Sequence, residues 1–316
     1  MSLPIPSFLR PLFARPVAIL GGGIVGRGLH ALLTRINAAD SFIYDPELSL
    51  GIDFTPAAAA GHALVVFSPD FAPDHPWLLN ARAAGCECMG ELDFASLFWR
   101  GQIVAVTGNH GRSMLSEFLT HGLRSNGFAA RRSCFRRYPL SQLVAERGGG
   151  SLAVAEEIAV CEVSSAQAGT LRHLRVDATL WTDVANESDN FMIERSADFS
   201  AKWTLVACTA PGGFFADSSV QVSAARFGRP FPVQAAVATA QPSADCRLTD
   251  SIFATGPQRE NFMLAAAWWR AVGLSADDLC AAARTFRPDA GRRIDAGDEK
   301  LELFEVAGSG AGLSPR

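Results

Sequence analysis

The chain reads as an α/β protein: a Rossmann-like N-terminal unit followed by a phosphate-loop unit, with mostly parallel sheets. Three observations carry that expectation. Residues 104–113 read VAVTGNHGRS, a β-rich apolar run that ends in Thr107-Gly108 and passes through Asn109-His110-Gly111 to Arg112-Ser113 and a helix-like segment. Residues 17–45 run strand, glycine-rich turn, helix, strand. Further along, apolar strand-like runs alternate with helix-period segments, the order that builds a parallel sheet covered on both faces.

The elements follow in order. Residues 17–20 form a short buried-strand pattern that meets Gly21-Gly22-Gly23 and then Ile24-Val25-Gly26, with an apolar-periodic helix to about Ile36. A second strand at 41–44 ends in Asp45, and a third at 63–67 ends in Ser68-Pro69. A helix at 77–84 stops at Gly85. The second unit opens at Gln102, with further strands expected at 159–163, 178–182 and 204–208 and helices at 260–272 and 276–285. Residues 209–250 are rich in Gly, Ser, Pro and Ala with weak β patterning, and 147–150 and 308–316 read as a loop and a frayed tail. Domains are expected at 1–98 and 99–296, with 297–316 as a short tail.

Composition narrows the function. With 48% apolar and 19% charged residues, the 316-residue chain is globular rather than disordered. A net charge of −4 gives no electrostatic case for nucleic acid or an anionic membrane. No run reaches the roughly 18 apolar residues of a membrane span. Seven scattered cysteines argue against a disulfide framework and for a reducing cytoplasm. The chemistry concentrates in the loop. Glycines let backbone N–H groups close on phosphate oxygens, and the following helix offers its positive end. Arg112 supplies charge, and the Ser113 hydroxyl is a Mg²⁺ ligand type.

The order of motifs resembles the Mur ligase family, most closely its D-glutamate-adding branch, collinearly over nearly the whole chain. Residues 68–94 carry Ser68-Pro69, His75-Pro76, Ala81 to Gly85 and Gly90-Glu91-Leu92 in the family's order. Residues 107–113 resemble its Thr-Gly-Thr-Asn-Gly-Lys-Ser loop, with Arg112 in place of lysine. AVCEVSSAQ at 159–167 resembles its Glu-x-Ser-Ser-x-Gln strand end. Lys202, one of only two lysines, falls thirteen residues after Asp189, as the family's carbamylated lysine does. Gly256 to Asn261 and Phe286 to Asp295 resemble two nucleotide-binding segments.

The resemblance implies an ATP-dependent ligase in which ATP phosphorylates a carboxylate of a UDP-muramoyl-type substrate and an amine attacks the acyl phosphate. It implies that Gly108, Asn109, His110, Gly111, Arg112 and Ser113 cradle ATP, with Asn261 and Arg293 gripping the nucleotide. Mg²⁺ would sit on Ser113 and Glu162, with Glu187 standing where the family uses histidine. Lys202 would be carbamylated and assist. Gly23, Ile24, Val25, Asp45, Ser68, Ser164 and Gln167 would meet the UDP-muramoyl substrate or another nucleotide. A third, amino-acid-binding domain would need roughly 120 more residues. The resemblance therefore also implies a protein partner, or further chain, to supply it.

Other readings stand beside these. Arg112, Thr182 for the family's asparagine, Asn186-Glu187 for its Asp-His pair and the lost histidine near Gln258 also fit a non-catalytic binding or regulatory homologue. Taken alone, Glu162 reads as a solvated or capping carboxylate, a reading that Ser164, Ser165 and Gln167 beside it weigh against; Lys202 also reads as an ordinary surface lysine on its helix, and Asp45 as a turn residue. Arg131-Arg132 and Arg136-Arg137 read as a solvated basic loop, and Trp268-Trp269 as core packing. A nicotinamide-dependent enzyme built on Gly21 to Gly26 is a third option, one that leaves the second unit's motifs unused.

Overall fold

The structure, a computed structural model, describes residues 3–38, 40–46, 53–147, 157–184, 192–232, 235–238, 248–249 and 251–288. The first sheet contains β1 (Val17–Leu20), β2 (Ser41–Tyr44), β3 (Leu64–Phe67) and β4 (Glu87–Gly90) in the order β2-β1-β3-β4, all parallel. Strands β1 and β3 are buried along their whole length, which is why they read as unbroken apolar runs rather than alternating ones. The helices of this half are α1 (Ile24–Arg35), α2 (Pro56–Ala59), α3 (Pro76–Ala83) and α4 (Glu91–Ser96).

The second sheet contains β5 (Gln102–Thr107), β6 (Ala130–Ser133), β7 (Ile158–Glu162), β8 (Ala178–Trp181), β9 (Phe214–Asp217) and β10 (Ala236–Ala238). Its order is β10-β9-β8-β5-β7-β6, again all parallel. The α-helices described in this half are α5 (Arg112–Ser125), α6 (Leu140–Arg147), α7 (Ser165–Ala168), α8 (Met192–Cys208), α9 (Ser218–Arg226), α10 (Gly256–Ala271) and α11 (Ala276–Thr285). The chain leaves β5 toward β6 and β7 on one side and later adds β8 to β10 on the other. The carboxyl end of β5 is therefore a topological switch point, where open α/β sheets form their ligand crevice.

Both sheets belong to one compact unit that runs to Phe286. A single apolar cluster joins them, with Leu29, Leu32 and Leu33 of α1, Phe94 of α4, Ile103 and Ala105 of β5, and Leu140, Leu143 and Val144 of α6. Gly28 makes the α1–α6 approach feasible: a Cβ there would stand 2.7 Å from Ser141 Oγ and 3.1 Å from the Gln142 nitrogen. Two buried carboxylates of α4 pin the junction. Glu91 Oε1 accepts the Ser141 N–H at 2.6 Å, and Asp93 Oδ1 accepts the N–H groups of Arg172, His173 and Leu174 at 3.1, 2.8 and 2.8 Å.

Three expectations need correction. Residues 204–208, read as a strand, form the last turns of α8. Phe199, Lys202, Leu205 and Cys208 are buried at a spacing of three, a helical stripe that a five-residue window misses. Arg131 and Arg132 lie on β6 rather than in a solvated loop, because the N–H donor of Ile158 and the parallel pairing to β7 draw them into the sheet. Cys280 is disulfide-bonded, while Cys86, Cys88, Cys134, Cys161 and Cys208 are free thiols. Trp268 and Trp269 are buried in the core as expected. Among the described residues no helix is long and apolar enough to cross a membrane.

Candidate functional site

The loop between β5 and α5 is the centre of the site. β5 brings Thr107 to the sheet's carboxyl edge, and its hydroxyl donates to the Val163 carbonyl at 2.8 Å. Gly111 adopts φ +75°, and a Cβ on it would stand 2.6 Å from Asn261 Nδ2 and 2.8 Å from Asn261 Oδ1. Only glycine allows both that left-handed turn and that approach. Helix α5 then starts at Arg112, with its first N–H groups at the loop's mouth.

Asp183, which directly follows β8, shapes this loop. Its Oδ1 accepts the N–H groups of Asn109 and His110, each at 2.8 Å, and its Oδ2 lies 2.8 Å from His110 Nδ1. The Thr182 hydroxyl bonds the His110 carbonyl at 2.6 Å. Neither role was read from the sequence. The available signal was an acid at the end of a strand adjoining the loop strand.

Ser113 and Glu162 meet beside the loop. Ser113 Oγ donates to Glu162 Oε2 at 2.7 Å. Glu162 is buried, so the reading of it as a solvated carboxylate does not hold. Its Oε1 accepts from Ser116 Oγ at 2.8 Å and from Arg132 Nε and Nη2 at 2.8 and 2.6 Å. Arg132 also reaches Glu117 of α5 at 3.3 Å. Burial alone would raise Glu162's pKa. The charge of Arg132 and the bonds from Ser113, Arg132 and Ser116 outweigh it and hold the carboxyl below its ordinary value.

Lys202 of α8 is only 3% exposed, and its Nζ donates to Asn109 Oδ1 at 3.2 Å and to Asp198 Oδ2 at 2.8 Å, one helical turn away. It therefore faces the loop and is not a surface lysine. Burial lowers its pKa, and Arg112 lowers it further, against the opposing pull of Asp198. A buried amine pushed toward its neutral form is the state that carbamylation needs.

The other expected residues divide. Asn261 is buried against Gly111 and donates to Gln258 Oε1 at 3.2 Å. Ser164 and Gln167 form a reciprocal capping box at the start of α7, so their polar atoms already serve each other. At the first sheet's carboxyl edge, Gly23 caps α1 and the Asp45 carboxylate accepts the Gly22 N–H. Ser68 Oγ donates to Asp70 at 2.8 Å there, and the Ser68 N–H bonds the Leu20 carbonyl. Ile24 is half-buried, and Val25 packs into the core. Glu187 and Arg293 lie outside the described residues, as do Asn186 and Asp189.

No family model matches the chain. A stretch of 130 residues is 36% identical to the UDP-N-acetylmuramoylalanine–D-glutamate ligase of Mycolicibacterium paratuberculosis, covering 33% of this chain and 26% of that protein. The ligase of the same name from Mycobacterium tuberculosis is 30% identical over 145 residues, covering 39% of this chain and 29% of its own length. Over these stretches the chain is similar to Mur ligases of the D-glutamate-adding type. The match spans well under two thirds of those relatives' own length. The fold agrees with that of solved peptide ligases. The UDP-N-acetylmuramate:L-alanyl-gamma-D-glutamyl-meso-diaminopimelate ligase of Neisseria meningitidis superposes with a TM-score of 0.57 at 16% identity, covering 88% of this chain and 99% of that one. A murein peptide ligase from Psychrobacter arcticus gives 0.52 at 15% identity, covering 86% and 68%.

Mg²⁺, implied by the family resemblance, does not fit Glu162 as its neighbours are arranged. Three donors from Ser116 and Arg132 crowd Oε1, Ser113 donates to Oε2, and the Arg132 guanidinium already balances the carboxylate's charge. Among the described residues no three His, Cys, Asp or Glu side chains are grouped to hold a metal ion.

Proposed function

We propose that this chain contains the UDP-substrate and nucleotide units of an ATP-dependent amide-bond ligase of the D-glutamate-adding type. It would act on a UDP-muramoyl-alanine-type substrate in cytoplasmic peptidoglycan synthesis. The observation that carries the reading is convergence: Ser113 meets Glu162, and Lys202 meets Asn109, all at the switch point beyond β5.

In this reading the γ-phosphate lies at the start of α5, where the first-turn N–H groups and the helix dipole favour an anion. The loop amides at Asn109 and His110 are held by Asp183 and keep the loop's shape. Arg112 and Lys202 supply positive charge for the transferring phosphoryl group, work that is mainly positioning and neutralisation. The glycine turn with Gly23 and Asp45 faces the UDP part of the substrate. The first sheet would serve the UDP part and the second the nucleotide, and the incoming amino acid is assigned to no residue described here.

Calorimetry tests the reading. The chain should bind ATP with Mg²⁺ in the buffer and, separately, UDP-N-acetylmuramoyl-L-alanine, and Arg112→Ala should weaken only the first. Failure to bind either ligand would overturn the proposal. ADP formed on adding D-glutamate would extend it from binding to turnover.

A further inference from the structure

We propose that Arg132 takes the place of a divalent cation at Glu162, so that this carboxylate's charge is balanced by a fixed side chain and not by a bound metal. The inference deepens the reading of the β5–α5 loop, and its test is independent of nucleotide binding.

Three elements build the arrangement. Arg132 is paired with Val160 across β6 and β7, so Glu162, two residues beyond Val160, projects from the same face one step along the sheet. Helix α5 covers that face and brings Ser113, Ser116 and Glu117 to the same point. The guanidinium then makes two contacts to Glu162 Oε1, at 2.8 and 2.6 Å, and one to Glu117 at 3.3 Å. The side chains are 19%, 9% and 12% exposed, respectively, for Arg132, Glu162 and Glu117. A solvated surface pair would not be enclosed on this scale.

The donor set explains the choice of cation. A hard divalent ion needs free carboxylate and hydroxyl oxygens in an open shell. Here Ser113 spends its proton on Glu162 Oε2, Ser116 spends its own on Oε1, and the planar fork of arginine brings two further donors and a fixed positive charge to Oε1. A divalent ion placed on Glu162 would also stand beside a permanently charged guanidinium. A lysine could lose its proton to relieve that repulsion; an arginine cannot.

The experiment is a Mn²⁺ titration of the full chain, without nucleotide, read by electron paramagnetic resonance. Wild type should show no Mn²⁺ site that depends on Glu162, so Glu162→Gln should leave the titration unchanged. Arg132→Met should tighten Mn²⁺ binding at least tenfold, and Glu162→Gln in that background should abolish the gain. Wild-type Mn²⁺ binding that weakens tenfold or more in Glu162→Gln would overturn the proposal. Should Arg132→Met fail to fold, the comparison of wild type with Glu162→Gln still decides. Loss of ATP binding would count against the ligase reading and would not touch this result.

Discussion

Gly111→Ala is the sharpest probe of how the loop is held. Two separate costs are built into the position. A side chain at φ +75° costs about 1–2 kcal/mol relative to glycine. The added Cβ would also press on Asn261 at 2.6 and 2.8 Å. Asn261 is only 4% exposed and bonded to Gln258, so it has little room to yield. Overpacking of that kind costs about 1–3 kcal/mol. The expected total is about 2–5 kcal/mol, or a fall in Tm of roughly 2–4 °C for each kcal/mol. Urea unfolding of Gly111→Ala, Asn261→Ala and the double variant separates the two costs. Removing the asparagine side chain relieves the contact but not the backbone strain, so a coupling of about 1–3 kcal/mol is expected. Strict additivity of the two single changes would refute the packing of Asn261 on Gly111 and the placement of α10 against the loop.

Three further outcomes follow from the same geometry. Asp183→Ala should speed hydrogen exchange at the Asn109 and His110 amides and cost about 2 kcal/mol, discounted because His110 is exposed; Asp183→Asn, which keeps an acceptor oxygen, should cost less by the same unfolding assay. Complete burial raises the pKa of Glu91 against the lowering bonds from Ser141. The stability its protonated form contributes is therefore full below the ordinary carboxylate pKa and lost as pH rises through the raised value; Glu91→Gln should gain on wild type as urea titrations move from pH 5 to pH 8. Burial lowers the pKa of Lys202, partly offset by Asp198. The cost of its charge is full below the lowered pKa and fades as pH rises toward 10.5, so the stability advantage of Lys202→Met should shrink over that range.

Much of the fold was legible because its central strands are buried on both faces. Residues 17–20, 64–67 and 103–106 are continuous apolar runs for that reason, and the glycine turns that follow β1 and β5 mark where each strand stops. Short edge elements were harder. β6 reads ARRS and carries two arginines, so nothing in its composition signals a strand. Its place is set by the pairing to β7 and by the carboxylate that Arg132 meets there. The stretch at 204–208 failed for a different reason: its apolar residues are contiguous, and only Phe199 and Lys202 further back reveal the helical stripe. In the site, Ser113, Glu162 and Lys202 could be picked out by motif. Asp183 and Arg132 could not, since their roles depend on neighbours contributed by strands 74 and 30 residues away in the chain.

The two sheets solve the same problem with the same device. In each, a glycine-rich turn leaves the carboxyl end of a buried parallel strand, β1 or β5, and runs into a helix. In each, an acid at the end of an adjacent strand takes a turn N–H: Asp45, after β2, holds Gly22, and Asp183, after β8, holds Asn109 and His110. A turn that must present donors to a ligand has more of them than the helix can satisfy, and a neighbouring carboxylate fixes the surplus in place. The physical consequence differs between the sites. In the proposed reading, Asp45 would offer a hydrogen-bond acceptor to a hydroxyl-rich ligand such as a ribose. Beside Asp183 the carboxylate is already paired with the loop amides and with His110, so in the proposed reading an incoming phosphate would meet the first turn of α5, next to Arg112 and Lys202, rather than that part of the loop.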